Sequence, residues 1–302
     1  MASNTIWQDI RQTLSRSNTV VQQLIIVNII VFLLINVPRL FFWLAGYPLD
    51  PYYYSDYLGV PSDLNQLLHK PWTLFTYMFT HGEVMHILFN MLVLYWFGRI
   101  LTEFLGNRKI LPLYLLGGLS GAVLFIACYQ LFPVFHAAVP EARAWGASAS
   151  VMAIMVAAAT LVPDYTMFLV LIGPVKIKWI AIFTIALDVL SIPSSNAGGH
   201  IAHLGGALFG FIFIRQMKNG RDLSLGVNWL IDRFVTLFQP KPPMKVSYRT
   251  KEKPAKKAAH KAPAAASKQE RLDAILDKIA QSGYESLSKE EKEFLFKISQ
   301  EE

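Results

Sequence analysis

Trp145-Gly146-Ala147-Ser148-Ala149-Ser150, running into the apolar stretch Val151 to Val162, decides how this chain folds. It reads as a serine set where a helix begins inside an apolar medium. From Ser148 to Val162 a helix spans about 22 Å, against the roughly 30 Å of a bilayer's hydrocarbon. Pro163-Asp164 fixes its far end at a polar boundary, so its start lies below the opposite surface. A helix start leaves amide N–H groups that lipid cannot satisfy, so it must open on a protein-walled cavity that holds water. The dipole and free amides favour negative charge developing at Ser148.

The rest of the chain supports a membrane reading. It is 53% hydrophobic and only 16% charged, with mean hydropathy +0.36. The apolar residues come in long blocks rather than at amphipathic spacing. The net charge of +7 lies near the ends of those blocks and in the tail, which favours juxtamembrane charge over nucleic-acid binding. The single cysteine, Cys128, sits in an apolar run and reads as membrane-embedded packing.

Six blocks follow one another: Val20 to Val37, Val84 to Leu101, Ile110 to Leu131, Ser148 to Val162, Ile177 to Leu190 and Ile201 to Ile214. The first is too long for a signal peptide, and no small-x-small cleavage site follows it. Gln22, Gln23 and Asn28 turn part of it toward other helices. Residues 38 to about 83 form a long connection rich in aromatics, Phe41, Phe42, Trp43, Tyr57 and Trp72 among them, as suits a water–lipid boundary.

Six crossings put both termini on one side. That side carries Arg11, Arg16, Arg108, Lys109, Lys176, Lys178, Arg215, Lys218 and Arg221; the opposite loops carry Arg39, Lys70 and Arg143 against Asp50, Asp56, Asp63, Glu83 and Glu141. The positive-inside rule makes both termini cytoplasmic. The expected organisation is a cytoplasmic segment 1–19, a six-helix membrane domain 20–218, a basic Pro/Ala/Lys-rich linker 219–267 and a small cytoplasmic helical hairpin 268–302. In the hairpin, Leu272, Ile275, Leu276 and Ile279 recur at helical spacing, and Ser288-Lys289-Glu290-Glu291 is a capping-box pattern opening a second helix. Docking of a partner, self-association or contact with the membrane surface are the roles open to it.

A serine hydroxyl needs a base within reach to act as a nucleophile at neutral pH. His203, inside block six, is an ionisable residue in a membrane span and so a functional candidate. Ala149, Ala153 and Ala157 on block four, with Gly206 and Gly210 on block six, are small faces that let the two helices approach and bring His203 to Ser148. In block two, His86 and Asn90 are four apart and share a helix face, where both can donate to an oxyanion beside the Ser148 amide. A metal site from His81, His86, His200 and His203 is the rival use of the histidines; no carboxylate or thiolate has convincing ligand spacing beside them, and no metal or other cofactor is expected.

The set His86-x-x-x-Asn90, Gly146-x-Ser148 and His203-x-x-Gly206-x-x-x-Gly210, on blocks two, four and six, resembles the rhomboid family of intramembrane serine proteases over about residues 20–218. The resemblance implies an all-α bundle of six transmembrane helices with a cytoplasmic helical tail. It implies a Ser148 nucleophile, a His203 general base, no catalytic aspartate, and an oxyanion hole from His86, Asn90 and the Ser148 amide. It implies substrates that are transmembrane proteins, cut in or near their membrane segments. The family's Trp-Arg pair in the first loop is not evident; Arg39-Leu40-Phe41-Phe42-Trp43 supplies those residue types in another order. Two further departures stand beside the site. Ala149 replaces the usual glycine after the serine, a methyl expected to tighten the contact between blocks four and six. Met152 replaces an aromatic that stacks on the histidine, and a thioether packs less rigidly. His200 lies one turn before His203 at the cavity mouth, and the Gly206 and Gly210 spacing selects His203 as the base.

Two other functions compete with proteolysis. One is a rhomboid-fold protein that binds membrane clients without cutting them; the intact serine, histidines and asparagine argue against it. The other is a transporter, which predicts repeat symmetry that the halves lack; Asp188, its clearest ionisable candidate, sits near the end of block five. The short turns and N-terminus point to a bacterial inner membrane as the location of this multi-pass chain.

Overall fold

Long apolar runs with few competing polar side chains become helices because lipid offers the backbone no other partner. In a computed structural model of the chain, residues 19–47, 53–169, 172–194, 196–238 and 268–299 are described. The expected N-terminal segment up to residue 18 and the linker over 239–267 lie outside the described residues. The chain divides into two units, 1–240 and 241–302. The first holds α1 (Val20–Leu44), α2 (Val84–Leu105), α3 (Ile110–Leu131), α4 (Ser148–Leu161), α5 (Ile177–Ser191) and α6 (Ala197–Lys218). Of these, α1, α2, α3 with the turn before it, and α6 are long and apolar enough to cross a membrane by length and composition, while α4 is shorter. The result is an all-α, polytopic membrane bundle.

Helix α1 runs seven residues past the expected end of block one, through Pro38. Residues Arg39 to Trp43, expected in a loop, are its last turns, with Phe41 65% and Trp43 71% exposed as befits a lipid-facing end. The turn before the proline is supplemented from outside the helix: Tyr53 donates to the Ile35 carbonyl at 3.0 Å, and Asn36 donates to that of His81 at 3.1 Å. Of Gln22, Gln23, Asn28 and Asn36 in the first block, only Asn28 is fully buried. It donates to the Tyr114 hydroxyl at 3.2 Å, and Tyr114 in turn donates to the Met78 carbonyl at 2.7 Å. This chain joins α1 to α3 and to the long connection.

Helix α4 is the centre of the bundle, buried along nearly its whole length from Ala149 to Ala159. Side chains as small as alanine and glycine allow this. A Cβ added to Gly206 would stand 2.0 Å from the Ala149 carbonyl oxygen, and one on Gly210 would stand 2.2 Å from that of Ala153. On the other flank, a Cβ on Gly117 would meet the Ala153 methyl at 2.3 Å, and one on Gly121 the Ala149 methyl at 2.6 Å. The Ala149 methyl therefore faces α3. It is the Ala149 carbonyl, not the expected methyl, that makes the contact with α6.

The connection from residue 53 to Glu83 is ordered by short helical turns and by β1 (Val60–Pro61), which pairs antiparallel with β2 (Arg143–Ala144). This pairing ties the connection to the segment just before Ser148. On the opposite end of α4, β3 (Thr166–Leu169) and β4 (Gly173–Lys176) form a hairpin. There Asp164 accepts from Lys178 at 2.8 Å and Lys176 at 3.0 Å, which hold its carboxyl down at about 2.

Composition alone misses α7 (Leu225–Phe238), which occupies the start of the expected linker. It is amphipathic, with Trp229, Leu230 and Phe234 exposed. Its polar side reaches the α2–α3 turn, where Arg108 pairs with Asp232 at 2.7 Å; Lys109 pairs with Asp222, just before the helix. The second unit, taken by itself, is a hairpin of α8 (Lys268–Ser282) and α9 (Lys289–Ser299) around the buried Ile275 and Leu287. Its capping box is closed in both directions: Ser288 N–H donates to Glu291 at 2.7 Å, and Glu291 N–H to the Ser288 hydroxyl at 3.2 Å.

Gly206→Ala must push α4 and α6 apart, and overpacking of this kind costs about 1–3 kcal/mol. Thermal unfolding in detergent is expected to show a lower Tm. Gly226→Ala, with open space around it, is expected to be neutral or slightly stabilising. In the hairpin, Ser288→Ala removes the cap and is expected to cost about 1 kcal/mol of its helix stability, read by circular dichroism of the full chain on heating.

Candidate functional site

Ser148 is presented by a loop that admits few alternatives. Gly146 has φ +121, a conformation that L side chains rarely adopt, and a Cβ there would also stand 2.7 Å from the His86 ring. The Gly146 N–H donates to the Tyr77 carbonyl at 2.8 Å. The buried Ala147 N–H donates to His81 Nε2 at 3.2 Å. With β1–β2 pairing just upstream, the backbone is held on successive residues up to the serine. Ser148 is the first residue of α4 and Ala147 takes the cap position. The serine hydroxyl is not spent on capping, the bland use of a serine at such a place.

His203 comes from α6, whose start is set by Asn196 in the left-handed region (φ 47), its side chain accepting from the Gly199 N–H. His200 and His203 both point toward α5. There Asp188 Oδ1 lies 2.7 Å from His200 Nδ1 and 2.9 Å from His203 Nδ1. A carboxylate only accepts, so each ring donates through Nδ1–H, which in the neutral imidazole puts the lone pair on Nε2. Asp188 is 5% exposed. Its other oxygen, Oδ2, has no hydrogen-bond partner among the described residues.

His86 and Asn90 lie in the first two turns of α2, with the Asn90 amide donating to the His86 carbonyl at 2.8 Å. That leaves one N–H of the Asn90 amide uncommitted. The His86 ring packs edge-on against His81, with centroids 5.1 Å apart.

These residues share a cavity of about 710 Å³ between α2, α4, α5 and α6, which Ser148, His86, Asn90, Met152, His200 and His203 all line. Asp188 lines it too, while the remaining wall is mostly apolar. A second cavity of about 460 Å³ also contains Ser148, His86 and His203, and extends to Trp145 and Asn196. His203 thus meets Ser148 in both spaces and His200 in one. No hydrogen bond between Ser148 and His203 is present. Gly206, Gly210 and Ala149 stand behind the cavity, in the α4–α6 contact. The four histidines weighed as a metal site do not converge as a set. His81 serves the Ala147 amide, and the metal-capable group among the described residues is Asp188, His200 and His203.

Two roles escaped the sequence. Asp188 was visible only as an ionisable residue in an apolar block; which face it occupies depends on how α5 packs. His81 acts on the backbone, and no side-chain pattern marks that.

His81→Phe leaves the Ala147 N–H buried and unpaired. The expected cost is about 1–3 kcal/mol, measured as a fall in Tm in detergent.

A family model described as the Rhomboid domain matches residues 68–218, and one described as a family of unknown function (DUF6576) matches residues 264–301. RHOMBOID-like protein 12, mitochondrial, of Arabidopsis thaliana is 33% identical over 158 residues, 49% of this chain and 47% of that protein. Presenilin-associated rhomboid-like protein A, mitochondrial, of Danio rerio is 31% identical over 139 residues, 45% of this chain and 35% of that protein. Rhomboid-like protein 17, chloroplastic, of Arabidopsis thaliana is 27% identical over 163 residues, 49% of this chain and 50% of that protein. The chain therefore spans about half or less of the length of these relatives.

Proposed function

The chain belongs to the rhomboid family, and from that premise we propose that it is an intramembrane serine endopeptidase acting on transmembrane protein substrates through Ser148 and His203. The observation that carries the reading is the shared cavity: a serine with an unspent hydroxyl at a helix start, a histidine with Nε2 free, and two side chains able to donate, all on one wall system.

The chemistry is acyl transfer. His203 Nε2 takes the Ser148 proton as Oγ bonds to the substrate carbonyl carbon. The carbonyl oxygen becomes an oxyanion, met by the Ser148 amide, His86 and Asn90 at the positive end of α4. The C–N bond then breaks, His203 returns the proton to the leaving amine, and water hydrolyses the acyl-enzyme by the same route. Hydrogen bonds of this kind are often long in a free enzyme and tighten with substrate, which accommodates the separation of Ser148 and His203. The cavity opens between α2 and α5 on apolar side chains such as Phe89, Trp96 and Leu187, a surface suited to a membrane segment rather than a soluble peptide.

In this reading all of α1 to α6 cross the bilayer and both termini are cytoplasmic, in a bacterial inner membrane. The hairpin 268–302 then offers a cytoplasmic contact to a partner or to the membrane surface.

The second reading, a rhomboid-fold protein that binds membrane clients without cutting them, draws on the same missing Ser148–His203 hydrogen bond. Cleavage of a single-span substrate by the purified full chain, in detergent and in lipid, separates the two. The expected result is cleavage by the wild type and a loss of about 10³-fold or more in Ser148→Ala and in His203→Ala, with thermal transitions retained. Cleavage that survives His203→Ala and is lost in His200→Ala would transfer the base to His200. Absence of cleavage by every form, across several substrates and in lipid, would overturn the protease reading in favour of the client-binding one.

A further inference from the structure

We infer that Asp188 is a positioning residue for this site: its Oδ1 holds His203 in the Nδ1–H tautomer with Nε2 free toward the cavity, and His200, by sharing that oxygen, tempers the carboxylate's effect. The inference rests on the protease reading above.

Three observations lead to it. The first is the pair of bonds at 2.9 and 2.7 Å from one oxygen to two Nδ1 atoms. An acceptor on Nδ1 fixes both which nitrogen carries the proton and how the ring is turned. The second is the state of Oδ2, buried and without a partner among the described residues. Buried polar atoms are nearly always bonded, and an exception calls for an explanation such as a role in the site's chemistry; among the described residues the two imidazoles are the side chains bonded to Asp188. The third is position. On α5 the fully buried residues are Ile177, Ala181 and Asp188, which share one face, while the rest of the helix is half-buried or exposed, so the carboxylate is the charged end of the face that α5 buries most deeply.

The other use of such a group is a metal ion, since the three candidate ligand atoms lie within 4.8 Å of one another. Ligands at zinc distances around a tetrahedral centre stand about 3.3 Å apart. The observed 2.7 and 2.9 Å are hydrogen-bond separations, and both rings meet one oxygen rather than a common point among three ligands. The distances favour hydrogen bonding.

The charged and titratable groups facing His203 are few. Asp188 comes from α5, His200 from α6 itself, Glu83 and His86 from the start of α2, and Arg143 from β2. Helix α4 carries none, and Tyr114, Cys128 and Tyr129 of α3 do not line the cavities. Asp188 is the one acid bonded to the ring, so changes at Asp188 and His200 act on His203 in opposite senses. Removing the carboxylate's charge lowers the basicity of His203 and moves the acid limb of the pH profile to lower pH. Removing His200 leaves the carboxylate undivided, strengthens it for His203 and moves that limb to higher pH.

The test uses the full chain in lipid nanodiscs, with kcat and KM for a single-span substrate followed across pH in wild type, Asp188→Asn and His200→Ala. The expected result is a fall in kcat of about 10²-fold in Asp188→Asn with KM within about threefold, together with the opposed shifts of the acid limb. ¹⁵N spectra of labelled histidine give a readout independent of cleavage: His203 carries its proton on Nδ1 in the wild type and loses that preference in Asp188→Asn. A wild-type kcat and profile in Asp188→Asn, shifts in the same direction in both variants, or a wild-type His203 protonated on Nε2 would each overturn the inference. So would stoichiometric Zn²⁺ binding to the wild type that both variants lose. Should Asp188→Asn lose its thermal transition, the wild-type tautomer and the His200→Ala profile decide. Should the wild type cleave nothing, it is the protease reading that fails, and the tautomer alone decides whether Asp188 positions His203.

Discussion

The contact on which the rest depends is backbone against backbone, where Gly206 and Gly210 of α6 lie on the carbonyls of Ala149 and Ala153. Between apolar helices in lipid there is little hydrophobic gain, so close packing must supply the association. Glycine gives it by removing the side chain that would hold the helices apart. The same logic repeats on the far flank, where Gly117 and Gly121 of α3 admit the methyls of α4, and Gly205 admits the backbone of α3. Surrounded in this way, α4 need not reach both membrane surfaces. Its short length becomes useful, because it lets a helix start, with its unsatisfied amides, sit in the interior.

A helix start placed there is only as well defined as the chain that leads into it. Here the leading residues are held from several sides by different chemistry. β1 pairs with β2, Tyr77 receives the Gly146 amide, His81 receives that of Ala147, and the positive φ of Gly146 turns the chain beside the His86 ring. Each bond also satisfies a backbone group that has no access to bulk solvent. The long connection after α1 therefore acts as a structural wall, and its aromatic content follows from where it lies.

What the sequence made legible is what has a short period. The four-residue recurrence of alanine on α4 and of glycine on α6 named the contact partners directly, and the His86-to-Asn90 spacing placed both on one face. What it left illegible depends on tertiary register. The first apolar block reads as ending at Val37, yet Tyr53 on the connection bonds the Ile35 carbonyl just before Pro38 and the helix continues to Leu44. Pairing of residues 60–61 with 143–144 joins two-residue strands, too short for any alternation to show. The linker's composition concealed α7, whose apolar residues are too few for a spanning block. Asp188 was visible as a charge in an apolar run, but its meaning required knowing that α5 turns that residue toward the histidines of α6.

That last arrangement has an energetic consequence. A carboxylate taken out of water costs several kcal/mol, and apolar packing offers nothing in return. Two charge-assisted hydrogen bonds to one oxygen are what offset it. The three side chains are thus stable as a set and poorly stable in part: without either histidine, the acid keeps one bond for the same desolvation. Besides Asp188, helix α5 has only Ile177 and Ala181 fully buried, with Ile180 and Ile185 half-buried against the core, so the set also helps to fasten the C-terminal half of α5 to α6. One interaction therefore serves both to hold a thinly packed helix and to orient the imidazole beside Ser148, and the chemistry of the site and the integrity of its wall cannot be varied independently.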